Sequence, residues 1–323
     1  MRWGTSVRGS NGWRGMNEDQ ADAASLDQNV FLIGRPPLEE FLGFVATLSP
    51  EGEAVDLGGL TAQWRLANDH VKKLELEEAG HADNPPVDEL PSSLNQLARG
   101  IFADPVFQRS FQLVPTSVGL VELDRLVVFQ KHINLNFIED LKRALGAEPS
   151  DAELLSFCLP TRPSLPPVRR LRVAQNAWTF VSASTDLRFL EPVLFEPTQI
   201  TGYRPSGRVA VVGLVVGYGS NYLNALKVGG RLILNNGSHR AYALRDIGIR
   251  KAPCVIQDVT RREELPVVAS SEVVAHPERY TEAPRPPMLK DYFDERLRQI
   301  MQVPRRKRQV RTAFSAEQTD LPA

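Results

Sequence analysis

The sequence predicts an α+β or α/β fold, in which a helical N-terminal region is followed by a small domain built on a mixed sheet. Between residues 61 and 78, apolar side chains recur at helical spacing on one face, formed by Leu60, Trp64, Ala67 and Val71. Residues 171–262 instead hold short apolar and β-branched runs that turn residues separate, a pattern typical of strands. The proline-rich stretch 159–170 lies between the two regions and is predicted to be a linker.

Composition limits the class of protein. A chain of 323 residues can form one large or two medium domains, and its apolar content of 42% is typical of soluble globular proteins. No apolar run approaches the roughly 18 residues that a membrane helix needs, so no membrane span is expected. The formal net charge of −1 argues against a protein-wide field that attracts nucleic acid. Cys158 and Cys254 lie far apart in apolar surroundings, which predicts buried free thiols and a cytoplasmic location.

The remaining regions divide the chain further. Residues 1–28 are polar and predict a flexible leader, and residues 29–158 predict a mostly helical domain that ends with a helix capped by Ser150 and Glu153. Residues 263–323 predict an extended or helical tail, including a helix over 290–301. Its basic cluster, 304–311, is either a solvated tail or a weak, non-specific contact with nucleic acid.

One strand–turn–helix–strand unit organises the second half of the chain. Leu232 to Leu234 form a short apolar run that predicts a buried strand, and residues 235–238 favour a tight turn. A short helix is expected next, with Gly248 just past its end, followed by a strand over residues 253–256. The turn therefore lies at the N-terminus of a helix.

The residues at this helix N-terminus suit an anion. The first N–H groups of a helix have no intrahelical partner, and the helix dipole is positive there. Ser238 offers a hydroxyl, His239 an imidazole, and Arg240 a guanidinium that can bind phosphate bidentately. The alternative is that Ser238 only caps the helix while His239 and Arg240 are polar surface residues.

A second glycine turn, Gly217-Tyr-Gly-Ser220, follows the apolar run 209–216 and predicts a strand that leads into a short helix ending near Leu226. Backbone amides of Gly217, Gly219 and Ser220 could then face the same anion. The turn matches neither a Walker loop nor a dinucleotide fingerprint. The alternative is a turn that needs glycine only for its geometry.

The run Asn236-Gly-Ser-His-Arg-Ala-Tyr-Ala-Leu244, followed by Ala252-Pro-Cys-Val-Ile256, resembles the nucleotide-binding segment of the ParB/sulfiredoxin-like superfamily. The resemblance covers roughly residues 186–260, under a quarter of the chain. The superfamily includes CTP-using chromosome-partitioning proteins, ATP-using sulfiredoxins and free-serine kinases. Sulfiredoxins place their reactive cysteine immediately before the His-Arg pair. Ser238 stands there in this chain, which argues against sulfinic-acid reductase chemistry.

The resemblance implies a small ParB/sulfiredoxin-like domain over residues 171–262 that binds ATP or CTP with Mg²⁺ through Asn236, Gly237, Ser238, His239 and Arg240. It also implies a possible phosphotransferase acting on a small molecule. In that reaction His239 and Arg240 would steady the developing charge, and a carboxylate such as Glu191 or Glu196 would act as base.

The alternative is a non-catalytic module that contacts an unknown protein, or nucleic acid, with the same fold. The region after residue 262 is too short and irregular for a helix-turn-helix, which disfavours site-specific DNA binding. A third possibility is an enzyme that modifies a small molecule or peptide in a cleft holding Tyr218, Asn221, Tyr222 and His239. No protein-ligated metal site is expected, because the five histidines are scattered.

Overall fold

The computed structural model describes residues 26–48, 56–161, 165–184, 186–199 and 210–321. These residues form both helices and mixed sheets, as the predicted α+β class requires. The α-helices are α1 (Leu38–Leu48), α2 (Leu57–Glu77), α3 (Asn95–Phe102), α4 (Pro105–Phe111), α5 (Leu135–Leu145), α6 (Asp151–Cys158), α7 (Ser238–Asp246), α8 (Leu265–Val268), α9 (Ser271–Ala275) and α10 (Pro277–Thr281). The strands are β1 (Leu26–Leu32), β2 (Val87–Asp88), β3 (Thr116–Glu122), β4 (His132–Asn134), β5 (Arg169–Ala174), β6 (Ala177–Ser182), β7 (Leu187–Phe195), β8 (Val211–Tyr218), β9 (Asn224–Val228), β10 (Arg231–Asn236), β11 (Lys251–Asp258), β12 (Arg298–Pro304) and β13 (Arg308–Ala313).

The central sheet has five strands in the order β10-β9-β11-β3-β2. Strands β9 and β11 are parallel, whereas β9–β10, β11–β3 and β3–β2 are antiparallel. Gly229 and Gly230 connect β9 to β10 with φ angles of 55° and 80°. Positive φ at both central residues is the geometry of a type I′ hairpin turn, which glycine adopts without steric cost.

This sheet joins the two halves that the sequence assigned to separate domains. Strand β3, from the half predicted to be mostly helical, pairs along its whole length with β11. The main hydrophobic core likewise combines side chains from both halves, including Val121, Ile138, Leu244 and Val255, each 0–1% exposed. Leu159, at the start of the predicted linker, is only 1% exposed in the same core. Burial of this shared apolar surface stabilises both halves together.

The three smaller sheets have the orders β12-β1-β4, β13-β6-β5 and β7-β8. Residues 26–28, predicted to belong to the leader, lie in β1 and pair with β12; residues 1–25 of the predicted leader lie outside the described residues. The prediction of a helix over residues 290–301 is wrong. A 3₁₀ turn over Leu289–Phe293 precedes β12, because the backbone of 298–304 hydrogen-bonds to the full length of β1. Pairing with a neighbouring strand overrides weak local helix propensity.

Two helices of the N-terminal half confirm their sequence signals. Helix α2 buries Ala67, Val71 and Leu74 on one face, and its N-terminus is capped by the Asp56 carboxylate. Helix α6 begins with the predicted capping box, in which the Ser150 hydroxyl accepts from the backbone of Glu153 and the Glu153 carboxylate accepts from the backbone of Ser150. Such reciprocal caps satisfy N–H groups that a helix terminus leaves free.

Cys158 and Cys254 are buried free thiols, as predicted. Burial raises the pKa of the Cys158 thiol to about 12, which keeps it protonated at neutral pH. Among the helices of the described residues, none is both long and apolar enough to cross a lipid bilayer.

Candidate functional site

The predicted strand–turn–helix–strand unit is confirmed as β10, Gly237, α7 and β11. Gly237 is the N-cap of α7 and adopts the left-handed conformation, with φ of 90°. A Cβ at this position would lie 2.7 Å from Cδ1 of Leu223, so only glycine fits both the backbone angle and the space. Gly248 follows the helix with φ of 89°, as expected for a residue just past a C-terminus.

The N-terminus of α7 carries no side-chain cap. The first intrahelical bond runs from Ala241 N–H to Gly237 O at 2.9 Å, and the N–H groups of Ser238, His239 and Arg240 have no acceptor in the described part of the chain. Ser238 is the first helical residue rather than the cap. The alternative in which Ser238 merely caps the helix is therefore wrong, and three amides at this terminus remain unsatisfied.

Arg240 is buried beside this terminus, with 9% of its surface exposed. Its Nη1 donates to Asn221 twice, to the backbone O at 2.6 Å and to Oδ1 at 2.7 Å, and the guanidinium lies 5.7 Å from the centroid of the Phe157 ring. Within the described ranges no carboxylate pairs with it, and burial lowers its pKa. A desolvated cation without an anionic partner stabilises any anion that reaches it.

His239 has a structural contact that the sequence did not indicate. Its Nε2 lies 3.1 Å from the backbone N of Asn134 and accepts that N–H, so the proton of the neutral ring lies on Nδ1. The ring packs edge-on against Phe137, with centroids 5.3 Å apart. Burial, followed by the charges of His132 and Arg240, lowers the His239 pKa to about 4. His239 is thus a neutral, half-buried side chain that holds β4 against α7.

The pKa of His239 predicts an acid-sensitive stability. Because the folded-state pKa of about 4 lies below the ordinary value of 6.5, the unfolded chain binds the proton more tightly between these two pH values. Protonation of His239 should therefore lower the free energy of unfolding by about 3 kcal/mol as the pH drops through that window. Urea unfolding as a function of pH measures the slope.

The His239→Gln variant should lose most of that slope and keep the smaller part due to His132 and His81, whose pKa values burial also lowers. His276→Gln is the control, since the His276 side chain is 42% exposed, and its slope should match wild type. An unchanged slope in His239→Gln would contradict the buried, neutral imidazole.

The second glycine turn reaches the site, but in a form that the sequence did not predict. No helix follows Gly217: β8 runs through Tyr218, and residues 224–228 form β9, because that segment is buried between β10 and β11. The Arg188 side chain fills the space where a Gly219 Cβ would stand. Gly217 lies in the β7–β8 ladder opposite Arg188. These glycines have structural roles here.

Ser220 and Asn221 are the residues of this loop that hydrogen-bond to the turn before α7 and to Arg240. The Ser220 carbonyl accepts from Nδ2 of Asn236 at 2.8 Å, while Oδ1 of Asn236 accepts the N–H of Gly237 at 2.7 Å. Asn221 holds Arg240, as described above. The loop after β8 therefore positions both Asn236 and Arg240 through its carbonyl and amide oxygens.

Glu191 lies on β7, opposite Val215, with its side chain exposed. Among the described residues it makes no polar contact with the α7 N-terminus.

The basic cluster is also placed differently from a solvated tail: residues 308–313 form β13, and Arg305 pairs with Asp27 at 2.7 Å. The described residues contain no group of three or more His, Cys, Asp or Glu side chains placed to hold a metal ion.

The structure also shows polar groups that sequence reasoning missed. Asn134 gives its backbone N–H to His239, and Asn224 lies opposite Asn236 with a buried Oδ1 that has no donor. A lone asparagine carries no sequence signal for either role, since both depend on partners from distant segments. Comparison with protein-family models, curated proteins and solved structures finds no match to this chain.

Proposed function

We propose that the chain binds a nucleotide, ATP or CTP, with its phosphates at the N-terminus of α7. One observation carries the proposal: three unpaired amides and the Arg240 guanidinium, which lacks a carboxylate partner, belong to one buried turn. The helix dipole is positive at this terminus, and a phosphate oxyanion would accept from the amides and from the guanidinium at once.

The turn geometry suits a phosphate rather than a larger acidic surface. Leu223 packs against Gly237 on the side where a Cβ would stand, so the groups offered to an oxyanion are the α7 amides and the Arg240 guanidinium. Of the Arg240 donors, Nη1 is held by Asn221, while Nε and Nη2 have no acceptor in the described residues. Asn221 thereby orients a guanidinium that still has free donors, which lowers the entropy lost on binding.

Mg²⁺ would enter this site with the nucleotide. Magnesium commonly binds proteins through one or two carboxylates together with substrate phosphates and water. The described residues offer no carboxylate cluster at this turn, so the phosphates and water would supply the magnesium ligands. When bound, the ion would neutralise phosphate charge; the residues of this chain would orient the phosphates.

Binding without phosphoryl transfer has the better geometric support, which favours the non-catalytic alternative. A general base needs a free lone pair within reach of its proton. The Nε2 lone pair of His239 already accepts the Asn134 N–H, and Glu191 is exposed on β7 without a polar contact to the turn. The contacts of the turn support phosphate binding, and none of the described residues around it is placed to act as a base.

Titration calorimetry tests the proposal. ATP, CTP and ADP with Mg²⁺ should bind the full chain, and tripolyphosphate should bind too, because the proposed contacts are to phosphate. Adenosine and cytidine, which lack phosphate, are the matched controls and should give no saturable heat. Equal binding of nucleoside and nucleotide, or no binding of any phosphate compound at millimolar concentration, would contradict the proposal.

A further inference from the structure

The three-stranded sheet β13-β6-β5 concentrates positive charge in one part of the molecule. Residues 165–184 and 305–314, which form these strands and the segments beside them, contain eight arginine or lysine residues and no aspartate or glutamate. All eight are exposed: Arg169, Arg170, Arg172, Arg305, Arg306, Lys307, Arg308 and Arg311.

Carboxylates around the sheet neutralise only part of this charge. Arg305 pairs with Asp27 at 2.7 Å, and Asp140, which is also near Arg305, pairs with Arg143. We counted Asp27, residues 186–199 and 210–218 of the β7–β8 ribbon and the tail 315–321 together with the sheet. Nine cations then oppose six carboxylates, a net charge of +3 in a chain whose formal net charge is −1. The sheet is therefore a local positive surface that attracts a polyanion.

Strand register places arginines on the same face of this sheet as two aromatic side chains. Residues directly opposite each other in an antiparallel pair point to the same side. Arg170 lies opposite Phe180, and Arg172 lies opposite Trp178. The register of β13 puts Arg308 on this side too. We call this side, formed by these five residues, the Trp178 face.

Aromatic rings at the Trp178 face are partly accessible. Trp178 and Phe180 are half-buried, and in the described part of the chain neither packs against a hydrophobic core cluster. Phe314 stacks on Trp178, with ring centroids 6.3 Å apart and an interplanar angle of 20°, and it remains 49% exposed. Two hydrogen bonds with Asn176 anchor the backbone of Phe314. An exposed ring held in this way offers a surface on which a base can stack.

Arg170 and Arg172 lie beside these rings. Arg172 donates to the carbonyls of Ala174 at 3.2 Å and Gln175 at 2.8 Å, and its guanidinium lies 5.4 Å from the centroid of the Trp178 ring. These contacts orient the side chain, which is still exposed. Neither arginine forms an ion pair within the described ranges, so both can contact a phosphate.

We propose that the Trp178 face binds single-stranded nucleic acid. Phosphates contact Arg170 and Arg172, and bases stack on Phe314 and Phe180. A single strand fits this surface better than a duplex, because its bases are free to leave their neighbours and stack on protein rings. The proposal goes beyond a non-specific contact of residues 304–311, since the rings belong to β6 and to the segment after β13. It does not rest on nucleotide binding, because no residue of the α7 turn belongs to this face.

Fluorescence anisotropy with a labelled oligothymidylate of about 12 nucleotides tests the proposal. The matched control is an abasic oligomer of the same length, which carries the same phosphates without bases. The full chain should bind the oligothymidylate saturably, more weakly as salt rises, and bind the abasic oligomer at least tenfold more weakly. Equal binding of the two oligomers, or no binding of the oligothymidylate, would overturn the proposal. Tighter binding of a duplex of the same length, or of phosphatidylserine vesicles alone, would overturn it as well.

Two neighbouring residues of β5 provide a matched pair of variants. Arg170 belongs to the Trp178 face, whereas Arg169 lies opposite Val181 and so belongs to the other face; both are exposed. Arg170→Gln should weaken oligothymidylate binding at least fivefold and reduce the slope of log affinity against log salt by about 0.7. Arg169→Gln should change the affinity less than twofold. Equal losses would show a general field effect and contradict the assigned face.

Phe314→Leu tests the stacking. Leucine keeps an apolar contact with Trp178 but has no planar ring, so the variant should bind oligothymidylate at least fivefold more weakly and the abasic oligomer unchanged. Arg240→Met separates this site from the proposed nucleotide site. It should leave oligothymidylate affinity within twofold of wild type, and excess ATP should not displace the strand. Displacement by ATP together with loss of binding in Arg240→Met would place the strand at the α7 turn and overturn the proposal.

Discussion

Replacing Arg240 with methionine is expected to weaken the binding of ATP or CTP at least tenfold. Methionine keeps much of the buried apolar volume next to Phe157 but removes the charge and its donors. Charge-assisted hydrogen bonds contribute about 1.5–3 kcal/mol each, so losing even one predicts a tenfold or larger effect. Titration calorimetry on wild type and variant measures it.

Arg245→Met is the matched control for this prediction. Arg245 lies in the same helix, donates to Asp124 at 2.6 Å and lies 4.8 Å from the Phe293 ring, so its removal also breaks an arginine–aromatic contact. Because it is near the C-terminal end of α7, nucleotide affinity should stay within twofold of wild type. Equal losses in both variants would point to helix destabilisation and contradict a phosphate site at the N-terminus.

Replacing Asp291 with asparagine is expected to lower the free energy of unfolding by about 3–5 kcal/mol. Arg285 is 1% exposed and Asp291 is 2% exposed, and the Asp291 carboxylate accepts from both terminal nitrogens of Arg285. Glu78, the second acidic partner at 3.0 Å, is more exposed and cannot replace this contact. The variant would leave the buried Arg285 guanidinium paired with Glu78 but without the charge of Asp291. Urea unfolding monitored by circular dichroism gives the change.

Asp140→Asn provides the comparison for a solvated pair. Asp140 and Arg143 are 2.9 Å apart on the surface of α5, with side chains 65% and 76% exposed. Such pairs contribute about 0–1 kcal/mol. A loss below about 1 kcal/mol in Asp291→Asn, similar to that in Asp140→Asn, would show that Arg285 needs no buried carboxylate.

The unit around α7 could be predicted because its signals are local. Leu232 to Leu234 form an apolar run, and Gly237 and Gly248 mark the two ends of the helix, so each boundary depends on neighbouring residues. The capping box of α6 is local in the same way. Local propensity, turn chemistry and burial agree in these segments, and agreement across these levels is what specifies a structure.

Segments whose structure depends on distant partners could not be predicted in this way. Residues 298–304 carry polar and apolar side chains that suit a helix or an edge strand, and pairing with β1 decides for the strand. Residues 224–228 follow a glycine turn, yet burial between β10 and β11 makes them a strand rather than a helix. The shared central sheet was hidden for the same reason, because β3 and β11 are separated by more than a hundred residues.

The candidate site likewise combines local features, which the sequence could predict, with contacts between distant segments, which it could not. Gly237, Ser238, His239 and Arg240 are consecutive, so the sequence could place them together at a helix terminus. What each side chain does there depends on partners that the sequence could not supply. Asn221 from the loop after β8 holds Arg240, and Asn134 from β4 occupies His239. These contacts move the interpretation from catalysis towards binding.

Backbone amide chemical shifts test the central claim most directly. In a transverse-relaxation-optimised nitrogen–proton spectrum of the labelled chain, adding ATP or CTP with Mg²⁺ should shift the amides of Ser238, His239 and Arg240 most, and saturably. Gly248 lies just past the C-terminal end of α7, where its N–H donates to the Arg245 carbonyl. Its amide is the internal reference, and its chemical shift should change little. Nucleotide binding that leaves the three amides unshifted while others move would contradict a phosphate site at this turn.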